Sequence, residues 1–97
     1  MKRPKLEGAD LDGALAGLEG WQLAADRLSI TRPFAFKDFN AAFSFMTRVA
    51  LAAEKADHHP DWRNVWNKVW ITLSTHDAGG LTALDAKLAQ EIDRLAQ

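Results

Sequence analysis

Pro60 constrains this chain more than any other residue, because the stretches on its two sides follow incompatible periods. Upstream, Phe39, Phe43, Met46, Val49 or Ala50, and Ala53 recur at helical spacing across residues 38–55. Phe45, with Ala41 and Ala52, adds a second apolar face, so this helix must be covered on both sides. One side suits a sheet; the other needs another helix or another subunit. A residue preceding proline is pushed out of the α region, so the helix ends before Pro60 and residues 56–61 form a loop with His59 extended. Downstream, Val65, Val69, Ile71, Thr72 and Thr75 bring the β-branched side chains that favour strands. Val69, Ile71 and Leu73 make one face, and Trp70, Thr72, Ser74 and His76 the other. Asn67-Lys68 marks a turn between strands over 62–66 and 69–75. A two-residue loop would set Trp66 against Val69 and a three-residue loop Val65 against Val69; the register stays open.

The remaining segments fit around this unit. Leu11, Ala14 or Leu15, and Leu18 form a short amphipathic helix with Asp10 as its N-cap and Gly20 as its stop. Gly13 and Gly17 each weaken it by about 1 kcal/mol relative to alanine. Trp21, Leu23 and Ala25 alternate as a strand, Asp26-Arg27 turns the chain, and Leu28, Ile30, Phe34 and Phe36 line one face of a second strand. Arg32 shares that parity and is an exception to it. Pro33 has no N–H to give, so its strand is an edge or is broken there. After Gly79-Gly80, Thr82-Ala83-Leu84-Asp85 has the spacing of a capping box, and Leu81, Leu84, Leu88, Ile92 and Leu95 continue at helical spacing. The order α-β-β-α-β-β-α predicts an α+β domain, a four-stranded antiparallel sheet with helices packed on one face. A single domain over residues 1–97 is expected, with residues 1–5 a frayed leader.

A 97-residue chain with 47% hydrophobic and 26% charged residues is globular, with so little stability margin that oligomerisation would help. The net charge of −1, without a block of like charge, makes phosphate backbones and acidic membranes poor partners. The absence of cysteine excludes thiol catalysis, cysteine-based zinc sites and disulfides. With no apolar run near the length of a membrane span and no secretory signal, a cytoplasmic protein is expected.

Residues 54–77 hold all three histidines, His58, His59 and His76, and three of the four tryptophans. Antiparallel return of the second strand would bring His76 opposite Pro60, beside His58 and His59. Three readings compete. The histidines are structural, favoured near a helix C-terminus. Or they hold a metal with Glu54, Asp57, Asp61 or Asp77, although adjacent His-His without an i, i+4 pair is not a standard ligand spacing. Or they do acid–base chemistry, since imidazole exchanges a proton near neutral pH. No nucleophile elbow frames Ser74 or Thr75, and no glycine-rich phosphate loop is present. Asp85 is already explained by its capping distance from Thr82.

Taken together, Glu54-Lys55, His58-His59-Pro60, Trp62, Asn64-Val65, Asn67-Lys68-Val69, Leu73-Ser74-Thr75-His76 and Gly80-Leu81-Thr82 resemble the pterin-4a-carbinolamine dehydratase family. Phe36-Lys37-Asp38-Phe39 and Phe45-Met46-Thr47-Arg48-Val49-Ala50 fit the same family, which is matched from about Trp21 to the end. Trp66 stands where the family often has tyrosine. The resemblance implies dehydration of 4a-hydroxytetrahydropterin to quinonoid dihydropterin, recycling the pterin of aromatic amino acid hydroxylases. No metal and no bound cofactor are implied, since the pterin is the substrate. His58, His59 and His76 match the essential histidines, with His58 and His76 as the proton-transfer pair and His59 orienting the pterin. Glu54, Asp57, Pro60, Trp62, Ser74, Thr75 and Asp77 are the expected substrate contacts, and Asp85 a supporting residue. Pro60 is expected to stop the helix and fix the ring of His59, and Trp62 to be the tryptophan near the pocket. The resemblance also implies a homo-dimer or homo-tetramer. Its alternative is a non-catalytic binding module, either a transcriptional dimerisation cofactor or a RuBisCO assembly scaffold, with no direct nucleic-acid contact.

Overall fold

A computed structural model describes residues 3–97. Its elements are α1 (Gly8–Leu15), β1 (Gln22–Leu23), β2 (Ile30–Ala35), α2 (Phe39–Ala56), β3 (Asp61–Val65), β4 (Lys68–Leu73) and α3 (Ala83–Leu95), with one 3-10 turn, His76–Ala78, between β4 and α3. The strands form one antiparallel sheet in the order β1-β2-β4-β3. This is the expected α+β arrangement. Alternation along β2 and β4 turns Ile30, Phe34, Val69, Ile71 and Leu73 into the core, where Leu11, Ala42, Phe45, Val49, Leu88, Ala89 and Ile92 from the helices meet them. Among the described residues, no helix is long and apolar enough to cross a membrane.

Asp38 starts α2 by accepting the N–H of Ala41 at 2.8 Å, a cap worth about 1 kcal/mol. The buried stripe of α2 is Ala42, Phe45, Val49 and Ala53, not the one led by Phe39 and Phe43. Phe45 lies between the rings of Phe34 and Phe36, with centroids 4.9 Å from each. Against such bulk the neighbouring contact positions must be small, which Ala42 and Ala53 supply. Phe39, Phe43 and Leu51 consequently face outward, 49%, 55% and 67% exposed.

Of three local expectations, only the position of the β3–β4 turn changes. β2 is continuous through Pro33, which lies beyond Ile30 and Thr31, the residues β1 covers, on the side where no strand needs its N–H. Arg32 does point to the helix side, and its guanidinium donates to Asp93 of α3 at 2.7 Å while lying 4.6 Å over the ring of Phe34. The Trp21 indole N–H donates to the same Asp93 oxygen at 2.9 Å. The β3–β4 loop is Trp66-Asn67, because Val65 pairs with Lys68. Trp66 takes the positive φ of 49° that a two-residue hairpin loop requires, and Asn64 holds it by donating to the carbonyls of Trp66 and Lys68.

Near the N-terminus, α1 begins at Gly8, so Asp10 lies inside its first turn rather than capping it. Met1 and Lys2, part of the expected frayed leader, lie outside the described residues. Residues 3–5 are exposed, and the chain is anchored just after them. Leu6 packs on the core, and its N–H donates to the carbonyl of Leu81 at 2.7 Å.

Candidate active site

The site begins with the way α2 ends. Asp57 adopts the left-handed conformation (φ 52°, ψ 42°) and donates its N–H to the carbonyls of Ala53 and Glu54. The N–H of His58 follows, reaching the carbonyl of Ala53 at 3.1 Å. Such a closure satisfies the last carbonyls of the helix and reverses the chain. His58 is thereby folded inward, only 8% exposed. The stop is thus set at Asp57, ahead of Pro60, which is half-buried and leads into β3. His59 remains outside, its Nε2 donating to Glu54 Oε1 at 2.8 Å.

Beneath the surface, Asp85 gathers what these segments deliver. It is 1% exposed, and its Oδ1 meets His58 Nε2 at 2.5 Å. Its Oδ2 accepts the Thr75 hydroxyl at 2.7 Å and the Thr82 N–H at 2.9 Å. The Thr82 hydroxyl accepts the N–H of Leu84 at 3.2 Å and lies 2.8 Å from the Thr75 hydroxyl. Thr75 has one hydroxyl proton and gives it to Asp85, so Thr82 must donate to Thr75. The capping box expected from sequence is present, and its carboxylate does double service. Two donors already occupy Oδ2, so an ionised carboxylate with His58 donating through Nε2–H satisfies the whole network. In a neutral ring, Nδ1 then keeps the lone pair. Among the described residues only Asn67 Oδ1 is a buried side-chain polar atom without a partner, so Nδ1, which has no protein partner, is not sealed from a ligand.

The other half of the site follows β4. Thr75 and Gly80 pair across the 3-10 turn, Thr75 N–H to the Gly80 carbonyl at 2.7 Å. Ser74, His76 and Asp77 are exposed and Thr75 is half-buried. Asp61 pairs with Thr72, and continuing that register places Thr75, not His76, across from His58. The expected facing of His76 and Pro60 is therefore displaced by three residues, and Thr75 is the residue that reaches the carboxylate of the buried histidine. A cavity of about 440 Å³ opens beside them, walled by Arg3, Asp57, Thr75 and Asp77 with apolar surface from Ala56, Ala78 and Leu84. It unites three expected substrate contacts, Asp57, Thr75 and Asp77. The rings of His58, His59 and His76 are not among its walls, nor are Glu54, Pro60, Trp62 and Ser74. Trp62 pairs with Ile71 and packs against the core. Among the described residues, no three histidine, aspartate or glutamate side chains are gathered as a metal ion would need. Sequence reasoning missed Arg3 at the cavity.

A family model described as pterin 4 alpha carbinolamine dehydratase matches residues 4–95. The chain belongs to this family. Among its relatives in the pterin 4 alpha carbinolamine dehydratase family is a protein of Mesorhizobium japonicum, 58% identical over 93 residues, covering 96% of this chain and 95% of that one. A Rhizobium rhizogenes protein is 54% identical over 96 residues, covering 99% and 95%. Both carry the family's name only provisionally. The crystal structure of a transcriptional coactivator/pterin dehydratase from Brucella melitensis has a TM-score of 0.91 and 47% identity, covering 96% of this chain and 99% of that chain. A pterin dehydratase-like protein described as a RuBisCO assembly factor in the α-carboxysome shares the fold, with a TM-score of 0.69 at 23% identity over 80% of this chain and 90% of its own.

Proposed function

We propose that this chain dehydrates 4a-hydroxytetrahydropterin to quinonoid dihydropterin and water, recycling the pterin of aromatic amino acid hydroxylases. In this reaction the C4a–O bond breaks, the proton on N5 is removed, and a C4a–N5 double bond forms. One base and one acid suffice, so the reading uses neither a metal nor a bound cofactor. The observation that carries it is the His58–Asp85 pair, which leaves Nδ1 of a buried imidazole without a protein partner and able to accept a proton. His58 serves as the base that takes the N5 proton. His76, exposed beside Thr75, gives the proton that lets hydroxide leave as water. His59, held by Glu54, orients the ring system. Positioned proton transfer of this kind contributes about 10²–10⁴-fold in rate.

Stopped-flow dehydration on the purified protein tests the proposal. His58→Ala and His76→Ala should each lower kcat by about that factor, and His59→Ala should act mainly on KM. A wild-type rate no faster than buffer would sink the enzyme reading. Stoichiometric zinc, with activity lost on chelation, would overturn the metal-free mechanism.

A second reading, a non-catalytic protein-binding module, is favoured by the outward face of α2 with exposed Phe39, Phe43 and Leu51. Related proteins described as a coactivator and as an assembly factor agree with it. Self-association into a dimer or tetramer would cover the same face without excluding catalysis.

A further inference from the structure

We infer that the N-terminal strap, residues 3–6, is a wall of the pterin pocket and that Arg3 is a substrate-binding residue. The inference rests on the pterin reading of the site and adds a residue to it. Three features hold the strap in place. The Leu6 N–H donates to the carbonyl of Leu81, and the Leu6 side chain packs on the core. The Lys5 side chain crosses Gly80 so closely that a Cβ there would come within 2.9 Å of Lys5 Cε. Gly80 and Leu81 lead directly into Thr82 and the Asp85 network, so strap and site share one stretch of backbone. Among the described residues, Arg3 then brings the one cationic side chain to a cavity whose other charged walls are Asp57 and Asp77.

Such a lining suits a neutral ligand with donors on one edge and an acceptor on another. A reduced pterin offers adjacent N–H donors at N3 and the 2-amino group, which suit a carboxylate, and a C4 carbonyl oxygen, which suits a guanidinium. Arg3 takes that acceptor, and the strap covers the pocket side from which it reaches in.

The test uses the full chain with Arg3→Ala and Arg3→Lys, reading both KM for the carbinolamine and the dissociation constant of 7,8-dihydropterin by tryptophan quenching. Losing one charge-assisted hydrogen bond should raise both constants roughly tenfold in Arg3→Ala, with kcat within about twofold. Arg3→Lys should recover part of the loss, since it keeps the charge without the fork. Because Arg3 is exposed, its Tm should not move, which separates binding from folding. Wild-type constants in Arg3→Ala overturn the inference while leaving the dehydratase reading intact. A wild-type chain that binds dihydropterin without turning over, with binding weakened in Arg3→Ala, supports Arg3 and sinks only the enzyme reading. A wild-type protein that neither binds dihydropterin nor dehydrates overturns both.

Discussion

His58 and Asp85 meet at 2.5 Å between Nε2 and Oδ1, although 27 positions separate them in the chain. The contact decides which nitrogen of the imidazole carries the proton, because an ionised carboxylate can only accept. Asp85→Asn reverses that. The amide oxygen is claimed by the Thr75 hydroxyl and the Thr82 N–H, so the NH₂ faces His58 and forces Nε2 to become the acceptor. Nδ1 then holds the proton and can no longer take one. The variant should lose about 10²–10⁴-fold in kcat, the scale of a positioned proton transfer, and about 1–3 kcal/mol of stability. Stopped-flow rates and urea unfolding measure the two effects. A kcat within threefold of wild type would remove His58 from the proton-transfer step.

Asp57 combines a strained backbone with a carboxylate on the cavity, so its substitutions should separate folding from binding. At φ 52° glycine is free of strain and alanine is not. Asp57→Ala should lose about 1 kcal/mol of stability, whereas Asp57→Gly should be neutral or slightly stabilising. Both remove the carboxylate from the cavity, so both should raise KM similarly. A KM that followed Tm instead would assign Asp57 to capping alone.

The two faces of α2 should respond oppositely. Phe45→Ala, at 0% exposure beneath Phe34 and Phe36, should cost about 3–5 kcal/mol and unfold a domain of this size at moderate temperature. Phe43→Glu should leave the isolated fold intact but dissociate any assembly built on the outward face. Light scattering on a size-exclusion column reads this directly. An unchanged mass would place the subunit contact, if one forms, on another surface.

Much of the fold could be read from the sequence because its punctuation is strong. Asp38 and the Thr82–Asp85 spacing mark helix starts, and the β-branched run after Pro60 marks strands. The phase of α2 is obscured in the sequence because Phe39 and Phe43 carry much of its bulk. The sheet instead needs small residues beside Phe45, and an alanine carries little signal. The hairpin register was lost at Trp66, a bulky aromatic in a conformation more often given to glycine or asparagine, which Asn64 supports from outside the loop. In the site, the histidines were visible and so was one function of Asp85. The second oxygen of that carboxylate was not, because His58 reaches it through the reversal at Asp57, which no local pattern announces. The strap at Arg3 is held by one main-chain hydrogen bond, by Leu6 on the core and by Lys5 over Gly80, long-range contacts that no local pattern in residues 3–6 announces.

Asp85 also bears on how the molecule fluctuates. It joins the end of α2, the end of β4 and the start of α3 through one buried carboxylate, and parting any of them would strand a donor or a charge away from water. Small local openings are therefore suppressed at the centre of the site. The amide protons of Thr82 and His58 should exchange with solvent as slowly as the slowest amides of β4, while those of Arg3, Lys5 and the Trp66 turn exchange early. A ligand would then meet walls already in place around the buried pair, so binding there should need little rearrangement.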